Sequence, residues 1–348
     1  MQILHVNLAN SLGGGEYQTL ALMDGLRQMN VEQRLIHRSN APLSRLAGEQ
    51  GFDALSATQA LFRPRASCWR PPVVLHAHDG RGVHWARLAA RLHRTPYLIT
   101  RRILKAPSDR RRTHRAYAGA CQIACVSQAV ADGLHRYDTA LQLNVVHDGL
   151  VGFASDEVRA SALRNRHPER VIVAQIGRLV EEKNIELTLD IARRAAEKAL
   201  PMHFWILGDG PLRHELAASA SDLDNIELLG HRDDIGNYLA AADVLLHPAR
   251  SEAFGSVIAE AMQHGVAVIA SKVGGIPEVV ENGRSGLLVD GGDVALYFEA
   301  IETLCRDPAL RQRLAEAGRR RAARFSREVM TERYLTLYRR CLADRLAG

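Results

Sequence analysis

Residues 170–183 read RVIVAQIGRLVEEK, and this stretch decides the fold. An aliphatic, β-branched run ends at Gly177, and a charged segment that begins a helical pattern follows it directly. A buried strand, a glycine turn and a helix in that order form the repeating unit of parallel α/β sheets. The same order recurs before and after this stretch, so the sequence predicts a chain of βαβ units.

The strand-like runs form two series. They lie at 2–8, 73–77, 96–100, 122–126 and 143–147, and then at 170–176, 202–208, 225–229, 243–247, 266–270 and 286–289. Amphipathic helical patterns separate the runs. We therefore predict an α/β protein with two Rossmann-like, doubly wound parallel-sheet domains that face a cleft.

The length of 348 residues also favours two hydrophobic cores over one. We expect the domains to be residues 1–150 and 151–325. Tyr334 and Tyr338 belong to an apolar stripe at helical spacing. Residues 326–348 are therefore expected to form a C-terminal helix that packs across the domain seam.

The composition, with 47% hydrophobic and 24% charged residues, is that of a globular protein. No export signal and no apolar run of membrane-spanning length is visible, so we expect a cytoplasmic protein. The odd number and scattered positions of the cysteines fit a reducing compartment. They are Cys68, Cys121, Cys125, Cys305 and Cys341. Cys121 and Cys125 lack a second pair at zinc spacing, and we interpret both as buried packing residues.

Positive charge is concentrated in the first half of the chain. Residues 1–150 carry 19 Lys and Arg against 10 Asp and Glu, whereas residues 151–348 carry 26 against 29. The segment with the densest positive charge, residues 101–115, contains one acid, Asp109. Its basic residues are Arg101, Arg102, Lys105, Arg110, Arg111, Arg112 and Arg115. Such a segment suits an anionic acceptor or an anionic membrane surface. The alternative is a solvated helix face.

A glycine-rich turn, SLGGGE at 11–16, follows the first strand. Glycine lets backbone amides approach a phosphate closely, although a simple tight turn is the alternative. A dinucleotide fingerprint is incomplete, because position 18 is Gln. The strand that follows the first helical pattern also ends at Arg38 without the acid that the fingerprint requires. NAD is therefore not expected.

His76 and His78 end the strand at 73–77. Two histidines can bind a metal, but the sequence shows no third ligand nearby, so the metal hypothesis is weak. Such a histidine is more often a hydrogen-bonded residue that lines a site than a catalytic base.

In the second series, Arg178 and Lys183 follow the strand at 170–176 and suit two cations that clamp a diphosphate. The stretch SEAFGSVIAEAM at 251–262 places Glu252 in a loop and Glu260 on the helix that follows. Amides near the helix start would hold a phosphate, and Glu260 would accept ribose hydroxyls. The alternative for Arg178 and Lys183 is an exposed basic pair without a ligand. The alternative for Glu252 and Glu260 is two acids with unrelated roles.

In chain order, these and further motifs resemble glycosyltransferase family 4. They are GGE at 14–16, HAH at 76–78, VS at 126–127, GRL at 177–179 with Lys183, LGDGP at 207–211, LG at 229–230, residues 248–260 and GGIPE at 274–278. The resemblance covers nearly the whole chain. It implies the GT-B fold and a retaining glycosyltransferase that needs neither a metal nor another cofactor.

The resemblance also implies roles for single residues. Arg178 and Lys183 would hold the diphosphate, Glu252 the hydroxyls of the donor sugar, and His78 would lie near the transferred sugar. Together these four form the expected catalytic set. The expected donor-binding residues are Gly14, Gly15, Arg232, Phe254, Gly255, Ser256 and Glu260. Same-face attack and a covalent intermediate both stay open.

By the same resemblance, we expect a UDP-sugar donor ahead of a GDP-sugar and a glycan or glycolipid acceptor. Lipopolysaccharide core or another surface polysaccharide is the expected product, with peripheral attachment to the inner membrane as a hypothesis. One alternative is a related enzyme of the same fold, such as a nucleotide-sugar epimerase or a phosphorylase. The other is a nucleic-acid-binding protein, which the 5% aromatic content disfavours.

Overall fold

The computed structural model describes residues 1–62, 69, 72–108 and 110–347, with side chains up to residue 343. The chain divides into two compact units. The first is Met1–Val151 together with the chain from Phe325 onward, and the second is Gly152–Arg324. The predicted boundary at residue 150 thus lies next to the observed division.

The first unit contains a seven-stranded parallel sheet in the order β3-β2-β1-β4-β5-β6-β7. Its strands are β1 (Gln2–Asn7), β2 (Glu32–His37), β3 (Ala54–Ser56), β4 (Val73–Ala77), β5 (Tyr97–Arg101), β6 (Gln122–Cys125) and β7 (Leu143–Val145). Its helices are Gly14–Gln28, Pro42–Glu49, Ala57–Phe62, Gly80–His93, Arg111–Ala118, Gln128–Tyr137 and Arg327–Ala347. The order of the strands reverses between β1 and β4, as in a doubly wound sheet.

The second unit contains a six-stranded parallel sheet in the order β10-β9-β8-β11-β12-β13. Its strands are β8 (Val171–Ile176), β9 (Met202–Leu207), β10 (Ile226–Gly230), β11 (Val244–His247), β12 (Ala267–Ser271) and β13 (Leu287–Val289). Its helices are Glu157–Arg164, Ile185–Glu197, Arg213–Ser219, Ile235–Ala241, Ser256–Gln263, Ile276–Val279, Val294–Arg306 and Pro308–Ala322. Helices cover a core that includes Phe204, Ile269 and Tyr297. The predicted α/β class, with two doubly wound parallel sheets, is confirmed, whereas the predicted cleft between the domains stays a prediction.

The last helix, Arg327–Ala347, completes the core of the first unit. Tyr334 and Tyr338 are fully buried in one cluster with Ile3, Val74 and Leu98 of the sheet. The apolar stripe that predicted this helix therefore faces β1, β4 and β5. Its predicted position across the domain seam stays a prediction.

A disulfide bond fastens this helix, because Cys341 is bonded to Cys121 at the start of β6. The interpretation of Cys121 as a packing residue is therefore wrong, and the bond also departs from the reducing compartment that the scattered cysteines were expected to fit. Its partner lies 220 residues away in the sequence, where no spacing motif could reveal it. Cys125 is a buried free thiol, as expected, while Cys68 lies outside the described residues. Over the described ranges, no helix has the length and apolar character needed to cross a membrane.

Candidate active site

The candidate residues of both units follow strands that flank a reversal of strand order. Gly14 and His78 follow β1 and β4, whereas Lys183 and Glu252 follow β8 and β11. Connections from two such strands leave in opposite directions, and the space between them is where ligands bind in doubly wound sheets. Each unit therefore presents its candidate residues at the ligand-binding edge of its own sheet.

In the second unit, Glu252 connects Lys183 to His247. Nζ of Lys183 lies 2.5 Å from Oε2 of Glu252, and Nε2 of His247 lies 2.9 Å from the same oxygen. Lys183 ends the 3-10 turn Glu181–Lys183, and His247 is the last residue of β11. The structure thus joins two predicted residues and adds His247, which the sequence reasoning missed. Its place at the end of a strand was the available signal.

This cluster keeps the carboxylate charged. Burial works to raise the pKa of Glu252, but the hydrogen bond from His247 and the charge of Lys183 outweigh it and hold the pKa at about 2. Burial, with the charge of Lys183, lowers the pKa of His247. At neutral pH the cluster therefore contains one cation, one carboxylate and one neutral imidazole, which suits the binding of hydroxyl and phosphate groups.

The helix Ser256–Gln263 begins directly after Gly255, whose φ of +96° lies in the left-handed region that favours glycine. The first amides of a helix have no acceptor within the helix and suit an anionic ligand. Ser256 is half-buried at this start. Phe254 has only 2% of its surface exposed, so its side chain packs in the core and its backbone alone is available to a donor.

The remaining predicted donor residues differ in exposure. Glu260 is 1% exposed, and its Oε1 accepts a hydrogen bond from the Gly152 amide at 3.3 Å, so the side chain is buried rather than open on the helix flank. Arg178 is exposed in the turn after β8. Arg232 is also exposed, with its guanidinium carbon 5.6 Å from the ring centre of Tyr238. The roles of all three toward a donor stay predictions.

In the first unit, the glycine turn has open space beside Gly14 and the side chain of Arg102 beside Gly15. A Cβ atom at Gly14 would meet nothing within 4 Å. A Cβ atom at Gly15 would lie 3.8 Å from Cδ of Arg102. The start of the helix Gly14–Gln28 is therefore accessible to an anionic group.

Three buried histidines lie beneath this edge. His5 of β1 is paired in register with His76 of β4, so a third potential ligand does lie nearby, contrary to the sequence reasoning. Nδ1 of His76, however, lies 2.7 Å from the Tyr338 hydroxyl, and its Nε2 lies 2.6 Å from that of Thr100. Since both nitrogens of His76 are already hydrogen-bonded, the cluster is a hydrogen-bond network.

His78 continues this network, with Nε2 3.0 Å from Nδ1 of His5. It is only 6% exposed. Burial and neighbouring positive or ionisable groups lower the pKa of His78 well below its usual value, and burial lowers that of His5 to about 3. These rings are therefore neutral at neutral pH.

Arg101 and Arg102 are largely buried, unlike the rest of the basic segment, and their contact with an acceptor or a membrane stays a prediction. Nη1 of Arg101 donates to the Tyr117 hydroxyl at 2.9 Å, and the residue is 8% exposed. Nε of Arg102 lies 2.9 Å from Oδ1 of Asp148, with side-chain exposures of 10% and 5%. Arg101 is the last residue of the buried strand β5, and Arg102 follows it directly. The Tyr117 hydroxyl therefore binds Arg101, and the Asp148 carboxylate neutralises Arg102.

The rest of the basic segment is exposed: Lys105, Arg110, Arg111 and Arg112. Arg110 and Arg112 line a cavity of about 400 to 500 Å³ between the helices Gly80–His93 and Arg111–Ala118. Arg81, Trp85 and Leu88 line it from the opposite helix. The cavity therefore combines positive charge with apolar surface.

Comparison with known proteins finds a family model that is similar to most of the second unit. Residues 159–321 match the family model described as Glycosyl transferases group 1. Lipopolysaccharide core biosynthesis glycosyltransferase LpsE of Rhizobium meliloti (strain 1021) is 36% identical over 171 residues, which are 48% of this chain and 49% of that protein. The chain thus spans about half the length of this relative, as it does of others with comparable identity.

Two further likenesses extend over the chain. Lipopolysaccharide core biosynthesis glycosyltransferase LpsD of the same strain is 25% identical over 359 residues, covering 99% of this chain and 100% of that protein. The crystal structure of Anabaena Alr3699/HepE in complex with UDP matches with a TM-score of 0.84 at 20% identity, over 97% of this chain and 99% of that chain. Residues 159–321 are therefore similar to the glycosyl transferases group 1 family, and the two parallel-sheet units have the fold of GT-B glycosyltransferase structures.

Proposed function

We propose that the chain is a retaining glycosyltransferase that moves a sugar from a nucleotide diphosphate donor to a glycan or glycolipid. One observation carries this proposal: the cluster of Lys183, Glu252 and His247 lies at the ligand-binding edge of the second unit, within the residues similar to the group 1 family and beside a helix start. A cation and the first amides of a helix suit a diphosphate, and a carboxylate that is charged at neutral pH suits sugar hydroxyls.

In the proposed reaction, the diphosphate leaves with the help of Lys183, Arg178 and the amides after Gly255. These groups stabilise negative charge as it develops on the leaving oxygen. Lys183 is paired with Glu252 in the structure. A bound diphosphate would compete for Lys183 and release Glu252 to the sugar. The acceptor hydroxyl would attack from the same face, with a covalent intermediate as the alternative route.

In the first unit, Gly14, Gly15 and His78 are the residues proposed to bind the donor or the acceptor. The open glycine turn admits an anionic group, and the buried charge of Arg102 lies directly behind it. His78 would act as a neutral hydrogen-bonding group near the transferred sugar. Neither set of residues calls for a metal ion in the reaction.

UDP-sugars are the favoured donors, ahead of GDP-sugars. Crystal structures of the Anabaena protein hold UDP and UDP-glucose, which supports this choice by likeness of fold. The names of LpsE and LpsD favour lipopolysaccharide core synthesis as the pathway. The enzyme would then work in the cytoplasm, with its exposed basic surface toward the inner membrane.

The first experiment is a thermal-shift screen of UDP, GDP and their sugars. A ligand that binds only the folded state raises the unfolding temperature with its concentration. We expect UDP and UDP-sugars to raise it, and release of UDP to accelerate when an acceptor is added. Stabilisation by GDP alone would overturn the choice of base. No shift with any nucleotide sugar would overturn the proposed function.

A further inference from the structure

Three side chains of the second unit converge at the edge of its sheet opposite the candidate active site. Nε2 of His203 lies 2.8 Å from Oε1 of Glu227, and Nε2 of His167 lies 3.0 Å from the same oxygen. The two imidazole rings stack with their centres 3.6 Å apart and their planes 18° from parallel. Both ring nitrogens thus contact the same carboxylate oxygen, and the three possible ligand atoms lie within 4.8 Å of one another.

The sheet register and one loop create this arrangement. His203 and Glu227 are the second residues of the neighbouring parallel strands β9 and β10. His167 comes from the connection between the helix Glu157–Arg164 and β8. Since these residues meet only through the fold, no local sequence motif marks them.

We propose that His167, His203 and Glu227 bind a divalent transition-metal ion of the zinc class. Imidazole nitrogen and carboxylate oxygen are ligands that zinc accepts, at bond lengths of about 2.0–2.2 Å. A tetrahedral ion with such bonds separates its ligand atoms by about 3.3–3.6 Å. To admit the ion, the two nitrogens must therefore move about half an ångström further from the oxygen. The stacked rings must also tilt, so that the ion lies in the plane of both.

The surroundings define the remaining positions around the ion. Nη2 of Arg166 lies 2.6 Å from Oε2 of Glu227, which fixes the carboxylate and leaves Oε1 for the metal. The side chains of His167 and Glu227 are 18% and 24% exposed, so water can take the fourth position. The charge of Arg166 opposes another cation, and we expect weaker binding than at a closed structural zinc site.

This site is separate from the proposed reaction. His203 lies near the start of β9, whereas Gly208 directly follows the end of β9, at the edge with the candidate active site. The separation of five residues corresponds to about 16 Å of strand. A bound ion would join β9 and β10 to the connection that precedes β8. Its expected effect is to stabilise the folded second unit in proportion to its binding.

The test titrates metal-free protein with Zn²⁺ by calorimetry and with Co²⁺ by visible absorption. The variants are His167→Asn and Glu227→Gln, and the matched control is His231→Asn, which changes an exposed histidine paired with Asp233 at 3.2 Å in the same unit. We expect a single ion with the absorption of tetrahedral Co²⁺ in the wild type and the control. Binding should weaken at least about tenfold in both variants.

Either of two results would overturn the site. One is equal affinity in the wild type and both variants, and the other is a loss of the same size in His231→Asn. Circular dichroism shows whether each variant folds. A wild-type chain that gives no tetrahedral Co²⁺ absorption would also return the three residues to a hydrogen-bonded cluster, in which both rings donate to Glu227.

Discussion

Nη1 of Arg102 lies 3.3 Å from Nδ1 of His78, while Nε of the same guanidinium lies 2.9 Å from Oδ1 of Asp148. A guanidinium can only donate hydrogen bonds, so Nδ1 of His78 must accept. The proton of this neutral ring is then on Nε2, which faces Nδ1 of His5. Arg102 therefore sets the tautomer of the histidine at the edge of the first sheet.

Replacing Arg102 by methionine should destabilise the first unit. The change leaves Asp148 as a buried carboxyl without its cation, and breaking a buried pair in this way costs about 3 kcal/mol or more in the free energy of unfolding. Urea unfolding measures this loss. The double variant Arg102→Met with Asp148→Asn removes both charges and should be more stable than the single variant. Equal stability of the two would contradict the pairing.

The loss in Arg102→Met should also grow with pH. Burial raises the pKa of Asp148 and the charge of Arg102 opposes that rise, so removing the arginine raises the pKa further. The folded variant then holds a proton that the unfolded chain releases above its own pKa of about 3.9. Relative to the wild type, the stability of the variant therefore falls as pH rises above about 3.9, the pKa in the unfolded chain.

Replacing Glu252 by glutamine should remove part of the acid sensitivity of the second unit. The folded pKa of about 2 lies below the ordinary value of 4.5, so the carboxylate stabilises the folded state above that ordinary value. This contribution is lost as pH falls through the folded pKa, and is about 3 kcal/mol in size. Urea unfolding between pH 7 and pH 2 should show a smaller decline for Glu252→Gln than for the wild type. Parallel declines would contradict the depressed pKa.

Hydrophobic periodicity was enough to predict most of the fold. Every run that was predicted as a strand overlaps an observed strand within one or two residues at its ends. β3, with only Ala54–Ser56, is too short to show an alternating pattern. The glycine turns and the last helix were also visible, because each depends on a local signal.

Residues that meet through the fold could not be predicted in the same way. His5 reaches His76 because β1 pairs with β4, and a sequence does not state which strands are neighbours. The same reason hides the disulfide partner of Cys121. For Arg102, the charge was visible but its burial was not, since its ion pair depends on Asp148, 46 residues away.

Replacing Lys183 by alanine should lower turnover by about 10²–10³. The change removes the cation proposed to stabilise the leaving diphosphate. Steady-state kinetics with the donor identified by thermal shift gives kcat and KM separately. Lys198→Ala is the control, because this exposed lysine pairs with Glu302 on a helix surface. Unchanged kcat in Lys183→Ala would contradict the proposed role.

Breaking the bond between Cys121 and Cys341 should loosen the last helix. A disulfide that closes a long loop typically contributes about 2–4 kcal/mol to the free energy of unfolding. We expect Cys341→Ser, or reductant with the wild type, to lower stability by that amount, while Cys305→Ser has no such effect. Mass spectrometry of an unreduced digest should find the cross-linked peptides. Their absence from protein purified without reductant would contradict the bond.

The exposed part of the basic segment has the features of a surface for anionic lipid or an anionic acceptor. Arg110, Arg111 and Arg112 project at the start of one helix, and Leu88 of the facing helix is 49% exposed. Cations near an anionic bilayer each contribute about 1 kcal/mol, and apolar side chains beside them favour the interface. A solvated helix face would show the charges without binding.

Replacing Arg110, Arg111 and Arg112 together by alanine should therefore weaken binding to vesicles that contain phosphatidylglycerol roughly 100-fold, from about 3 kcal/mol of lost attraction. Co-sedimentation at several salt concentrations measures it, and binding of the wild type should fall as salt rises because exposed charges are screened. Donor binding should change less. The control removes three exposed arginines of the second unit, Arg284, Arg313 and Arg320. Equal vesicle binding by the first triple variant and the wild type, with an unchanged acceptor KM, would assign the segment to a solvated helix face.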